Sequence, residues 1–296
     1  MTGEYAVLDG AKGLALPTIY GQSMVIKKHR GSDLVWKSFD KEKNIWFQSK
    51  ISLLDFSAIE TTDDKKSAFL KKLLKGAVQL NSEFLSKWNG FNVQTTLDFP
   101  LEWGLGSSST LIYLVAEWAD VNPLLLYFQI LNGSGYDVAA AGADLPIIYQ
   151  LSDDQVKYNE IDYNPPFKDQ LYFVYLNKKQ STEASIEHYL KVAKNRKTVA
   201  KKITTLTDKI IEAKDLTTFE AIIEEHEALI SESLQTSSVG KEYFTDFWGK
   251  IKSLGAWGGD FVLATSNEDL EKTKNYFAKK GFETILNYTD LFNHEL

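Results

Sequence analysis

Hydrophobic and polar positions alternate through much of the first third of the chain. In "SMVIKKH" (23–29), "DLVWKSFD" (33–40) and "IWFQSKISLLDF" (45–56), β-branched and aromatic residues recur at roughly every second place, with turn residues between the runs. That period belongs to half-buried strands. In "DDKKSAFLKKLLKGAVQLNSEFL" (63–85) the period changes. Phe69, Leu73, Ala77 and Leu80 fall on one helical face and the lysines largely opposite, as in an amphipathic helix whose basic side is solvated. Alternation returns in "FNVQTTLDFPLEW" (91–103). Beyond a glycine- and serine-rich corner, Leu111, Leu114, Val115 and Trp118 make a second helical stripe, which ends in the run from Asp120 to Pro123. A further short helix is predicted from Pro123 to Leu131.

The second half reads as a strand "LYFVYLN" (171–177), helices from about Thr182 to Leu254, a strand "GDFVLAT" (259–265), a helix and a last strand "FETILNY" (282–288). This is an α+β layout, with helices laid against a small antiparallel sheet. The polar stretch "SDDQVKYNEIDYNPPFKDQ" (152–170) holds two of the six prolines. It places a domain boundary near residue 165, giving domains 1–165 and 166–296.

Length and composition are those of an ordinary globular protein: 296 residues, 44% hydrophobic and 25% charged. With 33 basic against 40 acidic residues the net charge is −7, which argues against nucleic acid or an anionic membrane as partner. Cysteine is absent, which removes disulfides, thiolate metal sites and a cysteine nucleophile. The most apolar window, "LIYLVAEWADVNPLLLYFQIL" (111–131), is interrupted by Glu117, Asp120, Asn122 and Pro123, so it does not span a bilayer as one helix. "MTGEYAVLDG" shows no leader pattern. The expectation is a soluble, cytoplasmic protein, monomeric or homodimeric, whose partner is a small molecule.

The corner "PLEWGLGSSST" (100–110) carries the first chemical question. Serine is a good helix cap and glycine permits the turn before it. Equally, free N–H groups at a helix start, reached through glycines, suit a phosphate. The corner alone favours the cap, and the rest of the chain has to decide. Familiar templates fail on it: no Lys follows Gly106 as a Walker loop needs, and Ser109 stands where a dinucleotide fingerprint has its third glycine. "NGSGY" is not a nucleophile elbow, because Asn132 stands two places before Ser134. "HEALI" from His226 lacks a second histidine at the metal-binding spacing, and His29, His188 and His294 are scattered, which reads as surface or core-edge histidine.

Three glycine-centred segments occur in order: "TGEYAVLDGAKGLALP" (2–17), "PLEWGLGSSST" (100–110) and "SLGAWGGDFVLAT" (253–265). Together they resemble the GHMP kinases, the family of galactokinase, homoserine kinase, mevalonate kinase and phosphomevalonate kinase, over nearly the whole chain. The middle pattern P-x-x-x-G-L-G-S-S is met in full by Pro100, Gly104, Leu105, Gly106, Ser107 and Ser108. "GEYAVL" and "GSGYDVAAA" (133–141) are most similar to the mevalonate and phosphomevalonate kinase branch.

The resemblance implies an N-terminal domain like ribosomal protein S5 domain 2, a ferredoxin-like C-terminal domain and an active site in the cleft between them. It implies ATP and Mg²⁺, with phosphates at Gly104, Leu105, Gly106, Ser107, Ser108 and Ser109, and Mg²⁺ at the Ser108 hydroxyl. Asp137 would be the catalytic carboxylate; as a residue in a turn it reads alternatively as a helix N-cap. Glu4, Ser134, Gly135, Gly255, Ala256, Gly258 and Gly259 would meet the acceptor. The implied activity is transfer of the γ-phosphoryl group of ATP to a hydroxyl or phosphate of a small acid, mevalonate or phosphomevalonate first. A diphosphomevalonate decarboxylase-like enzyme and a nucleotide binder without turnover are the alternatives.

Three departures from the family pattern stand out. A P-G-K-like segment with its Lys is missing before "TGEY", so the natural chain is expected to extend about ten residues upstream, the length of such a motif and strand. The short helix before Asp137 has no carboxylate, Gln129 being counted as its only polar side chain, and Trp257 stands where the family has glycine.

Overall fold

The computed structural model describes residues 1–86, 89–152, 155–179 and 182–292. In chain order a 3-10 helix, Glu4–Asp9, is followed by β1 (Lys12–Ala15), β2 (Gln22–His29), β3 (Asp33–Phe39), β4 (Ile45–Ser52) and β5 (Ala58–Thr61). Helix α1 (Asp64–Leu80) and β6 (Gly90–Leu97) lead to α2 (Ser107–Ala119), α3 (Pro123–Ile130) and α4 (Tyr136–Ala141). The chain continues through β7 (Ile147–Ser152), β8 (Gln155–Glu160), β9 (Leu171–Tyr175), α5 (Thr182–Val192), α6 (Arg196–Glu212) and α7 (Leu216–Leu234). It closes with α8 (Val239–Tyr243), β10 (Ile251–Ser253), β11 (Phe261–Thr265), α9 (Leu270–Lys279), β12 (Ile285–Asn287) and α10 (Tyr288–Leu291).

These elements gather into two compact units, which a single cut near residue 165 does not reproduce. One unit comprises Tyr20–Leu101 and Leu105–Gly142; the other comprises Met1–Ile19, Glu102–Gly104 and Ala143–Leu296. The first residues join the later part of the chain because β1 pairs antiparallel with β7, Gly13 opposite Tyr149. The polar stretch after residue 152 begins with a strand. Its residues 155–160 form β8, an exposed strand at the edge of the sheet β1-β7-β8, which is why its side chains are polar. Asp153 and Asp154 lie outside the described residues.

In the unit holding Tyr20–Leu101, five strands form one sheet in the order β2-β6-β3-β4-β5. β3 and β6 run parallel, the other pairs antiparallel. The alternation read in β3 is real: Leu34, Trp36 and Ser38 are buried and their neighbours are not. Buried polar atoms there are paired, Trp36 Nε1 donating to Ser38 Oγ (3.1 Å) and Thr95 Oγ1 donating to the same oxygen (2.9 Å). Helix α1 starts at Asp63, whose carboxylate accepts from the Lys66 N–H (3.0 Å). Its buried face is Leu70, Leu73, Leu74 and Ala77, rotated from the predicted one; Phe69 is half-buried and Leu80 exposed. The rotation follows from α1 packing against α2 and α3 as well as β5. Contact with α3 is close at Gly76, where a Cβ would come within 2.7 Å of Ile130. In α2 the buried residues are Ile112, Val115, Ala116 and Ala119, with Leu111, Leu114 and Trp118 at the margin.

The other unit contains the three-stranded sheet and a four-stranded antiparallel sheet of order β10-β11-β9-β12. Every residue of the central strands β9 and β11 is buried, so both read as continuous apolar runs rather than as alternation. One expectation fails here. The helices do not reach Leu254: α8 ends at Tyr243, and residues 251–253 form the edge strand β10, Ser253 opposite Val262. β10 has only three residues, too few for a strand period to show. No single helix among the described residues is long and apolar enough to cross a membrane. The apolar window at 111–131 divides into α2 and α3, bent by 118°.

Candidate functional site

The sequence-predicted residues are divided between the two units. In the first, the glycine–serine corner opens α2. Its N-cap is Gly106, in the left-handed region at φ +85°, and no side chain caps the helix. The serines are therefore not caps. Ser107, Ser108 and Ser109 occupy the first three helical positions, where backbone N–H groups have no partner within the helix. The turn is held from behind, Thr110 N–H donating to Gly106 O (2.9 Å) and Thr110 Oγ1 to Gln22 Oε1 (2.8 Å). Around Gly106 the space is open: a Cβ there would find its nearest neighbour, Ser109 Cβ, only at 3.9 Å. Ser108 is exposed, and Leu105, Ser107 and Ser109 are half-buried. Unpaired N–H groups with the positive end of the helix dipole form an anion-accepting mouth.

Asp137 lies in the first turn of α4, whose N-cap is Gly135 at φ +71° with no side-chain cap. The capping alternative for Asp137 is thereby excluded. Its side chain reaches solvent, yet the surrounding protein strips part of its hydration and raises its pKa above the usual carboxylate range. Facing it is Tyr127, a residue that sequence reasoning passed over when it counted Gln129 as the only polar side chain of α3. Burial, followed by the Asp137 charge, raises the Tyr127 pKa, and the phenol oxygen accepts from the Gly135 N–H. Tyr127 fits only because Gly133 has no side chain, since a Cβ there would overlap the phenol oxygen. Ser134 Oγ accepts from the Tyr136 N–H (3.3 Å), closing the turn. Helix α4 approaches α2 closely through Gly142, whose missing side chain leaves room for the Tyr113 ring. Gln129 instead donates to Gln79 Oε1 (2.8 Å).

The second unit holds Glu4, Gly104 and the loop 254–260 between β10 and β11. Gly104, at φ +67°, packs against the Asp260 carboxylate, leaving no room for a side chain. In the loop, Gly255, Gly258 and Asp260 all have positive φ. Gly255 is exposed and Gly258 half-buried, while Ala256, Trp257 and Gly259 are buried. The Trp257 N–H donates to the Tyr5 hydroxyl (3.0 Å), and the Tyr5 ring stacks on Tyr189 at 5.4 Å between centroids.

Glu4 is not an open carboxylate. It is ion-paired with Lys252, and its other oxygen lies 3.1 Å from His226 Nε2. The Glu4, Lys252 and His226 side chains are 4%, 0% and 0% exposed. Burial works to raise the Glu4 pKa, but Lys252 and His226 together outweigh it and hold the carboxyl at about 2. His226 is thus a fully buried residue of α7, not a surface one, and burial with the Lys252 charge lowers its pKa and keeps it neutral. His188 Nε2 meets Leu234 O (3.0 Å), and His294 lies outside the described residues. Glu227 completes the cluster. Its pKa is raised to about 7 by burial, against the pull of Lys252. Lys252, His226 and Glu227 carry no motif spacing that would have joined them to Glu4.

Among the described residues no three His, Asp or Glu side chains come together as a metal site. That donor set fits Mg²⁺ only as a companion of nucleotide phosphates, with one hydroxyl such as that of Ser108, a mode this ion accepts.

The fold is that of the GHMP kinases. The chain is similar to the mevalonate kinase of Methanococcus jannaschii, with a TM-score of 0.67 and 16% identity over 97% of this chain and 93% of that one. It is similar to the Streptococcus pneumoniae phosphomevalonate kinase solved with phosphomevalonate and AMPPNP, at 0.70 and 16% over 97% and 96%. Galactokinase of Lactococcus lactis, solved with galactose, aligns at 0.68 and 13% over 98% and 87%. No protein-family model matches the chain, and no curated protein sequence does.

Proposed function

We propose that the chain is an ATP-dependent phosphotransferase of the GHMP kinase type, acting on a small acid, with mevalonate or phosphomevalonate as the first acceptors to test. The observation that carries this reading is the start of α2: a helix mouth capped by Gly106 alone, three serines behind it and open space in front. A side-chain cap would have filled that mouth. The N–H groups of Ser107, Ser108 and Ser109 would hold the nucleotide phosphates, and the Ser108 hydroxyl would share Mg²⁺ with them. The acceptor oxygen then attacks the γ-phosphorus and the bond from that phosphorus to the ADP oxygen breaks; where the acceptor is a hydroxyl, its proton passes to Asp137. A carboxylate with a raised pKa is the better proton acceptor. Tyr127 fixes the turn from which Asp137 projects. The phosphomevalonate and AMPPNP bound in the pneumococcal enzyme support this choice of ligands.

Calorimetry with AMPPNP and Mg²⁺, then ADP release with mevalonate, phosphomevalonate and galactose, tests the reading. Saturable nucleotide binding with turnover on one acceptor is expected. No binding of AMPPNP would overturn it; binding without turnover on any acceptor would restrict the protein to a nucleotide binder.

A further inference from the structure

The cluster around Lys252 is out of balance. Two carboxylates, Glu4 from the 3-10 helix and Glu227 from α7, face one ammonium, Lys252 from β10. The remaining neighbours are the imidazole of His226, kept neutral, and the hydroxyl of Ser253, which donates to Glu227 Oε2 (3.1 Å). Glu4 has captured Lys252, whereas Glu227 Oε1 stands 3.9 Å from the ammonium with no hydrogen-bond partner. With both carboxylates ionised this buried site holds one negative charge too many, which is costly away from water.

Lys252 and Ser253 end β10, so the loop 254–260 leaves the sheet directly from this cluster. β10 is a three-residue edge strand, and the centre of the loop is tied by the Trp257 N–H to the hydroxyl of Tyr5, the residue next to Glu4. One cluster thus governs both the root of the loop and its mooring. We propose that Glu4, Lys252 and Glu227 are positioning residues for the 254–260 loop, and that a proton held by the cluster keeps the loop docked on Tyr5.

Loss of that proton sets Glu227 competing with Glu4 for Lys252 and draws the end of β10 away from its mooring. Short edge elements yield before buried central strands do. The pKa of about 7 at Glu227 places the change in the physiological range. If this loop meets the acceptor, as the resemblance to the GHMP kinases implies, the acceptor KM rises above pH 7 while kcat changes little. That consequence rests on the kinase reading; the positioning role does not.

Hydrogen exchange measured by mass spectrometry on peptides covering 253–261 tests the positioning role with no nucleotide or acceptor present. Rates at pH 6 and pH 8 are corrected for the intrinsic pH dependence of exchange. A group of pKa about 7 goes from mostly protonated to mostly ionised across that interval, so protection of the Trp257 N–H should fall by about ten-fold. Glu227→Gln keeps a partner for Ser253 without the charge and should hold the loop protected at both pH values. Tyr5→Phe removes the mooring and should expose the loop at both. Peptides from β9 serve as the unchanged reference. Equal protection of the wild-type loop at pH 6 and pH 8 would overturn the proposal, and so would a Glu227→Gln loop that keeps the wild-type pH dependence. Should Glu227→Gln not fold, the wild-type series and Tyr5→Phe decide alone.

Discussion

Replacing Glu4 by Gln removes one charge from the buried pair with Lys252 and leaves shape and volume almost unchanged. The magnitude follows from the carboxyl itself. Its pKa falls from 4.5 to about 2 on folding, which corresponds to about 3 kcal/mol of stability. A depressed acid contributes that stability in full above its unfolded pKa and loses it as pH falls through the folded one, so the effect is present at pH 7 and fades between about 4.5 and 2. Breaking a buried pair typically costs about 3–5 kcal/mol. The lower figure is expected here, because Glu227, 3.9 Å from the stranded ammonium and already largely ionised at pH 7.5, takes over part of the pairing. Thermal unfolding at pH 7.5 should show the variant lowered by roughly 5 °C, at the ~1.6 °C per kcal/mol that an unfolding entropy of ~2.1 cal/mol/K per residue gives for 296 residues. Pairing the change with Lys252→Met should recover much of the loss, because the uncompensated charge goes with it. A Glu4→Gln shift below 2 °C at pH 7.5, or a larger shift at pH 4 than at pH 7.5, would refute the reasoning.

Three further outcomes are expected. Gly106→Val should abolish AMPPNP binding in calorimetry while circular dichroism stays native, since the Cβ itself has room and the strain at φ +85° is local, of order 1–3 kcal/mol. Asp137→Asn should lower turnover by about 10²–10⁴-fold with nucleotide affinity held within a few-fold, and the acid limb of the wild-type rate profile should lie above the ordinary Asp pKa, measured by ADP release. Gly142→Ala should drive a Cβ into the Tyr113 ring and destabilise the protein by about 1–3 kcal/mol in urea titration, with the α2–α4 contact disturbed.

Much of the fold was legible in local pattern, because local pattern is what burial against a single neighbour imposes. Strands β2, β3, β4 and β6 show alternation since one face of their sheet is covered, and α1 and α2 show helical stripes for the same reason. The stripes were misplaced by a fraction of a turn where a helix meets several neighbours at once. β10 left no local mark because three residues are shorter than the signal. The polar edge strand β8 fell in the stretch read as a domain boundary because an exposed strand and a boundary segment select the same residues.

The glycine–serine corner was legible as a helix start from its residue types, but those types favoured a Ser cap over an anion mouth. Only the backbone excluded the serine cap, by placing Gly106 rather than a serine at that position. Asp137 was singled out through a motif, whereas Tyr127 was not, because what matters about Tyr127 is the room left by Gly133. The Glu4, His226, Glu227 and Lys252 cluster joins residues more than two hundred positions apart. Helical and strand periods describe how a residue faces its own element, so they carry no record of which distant charge will be folded beside it. Tertiary structure brings those charges out of water together, and desolvation and mutual attraction then set their ionisation.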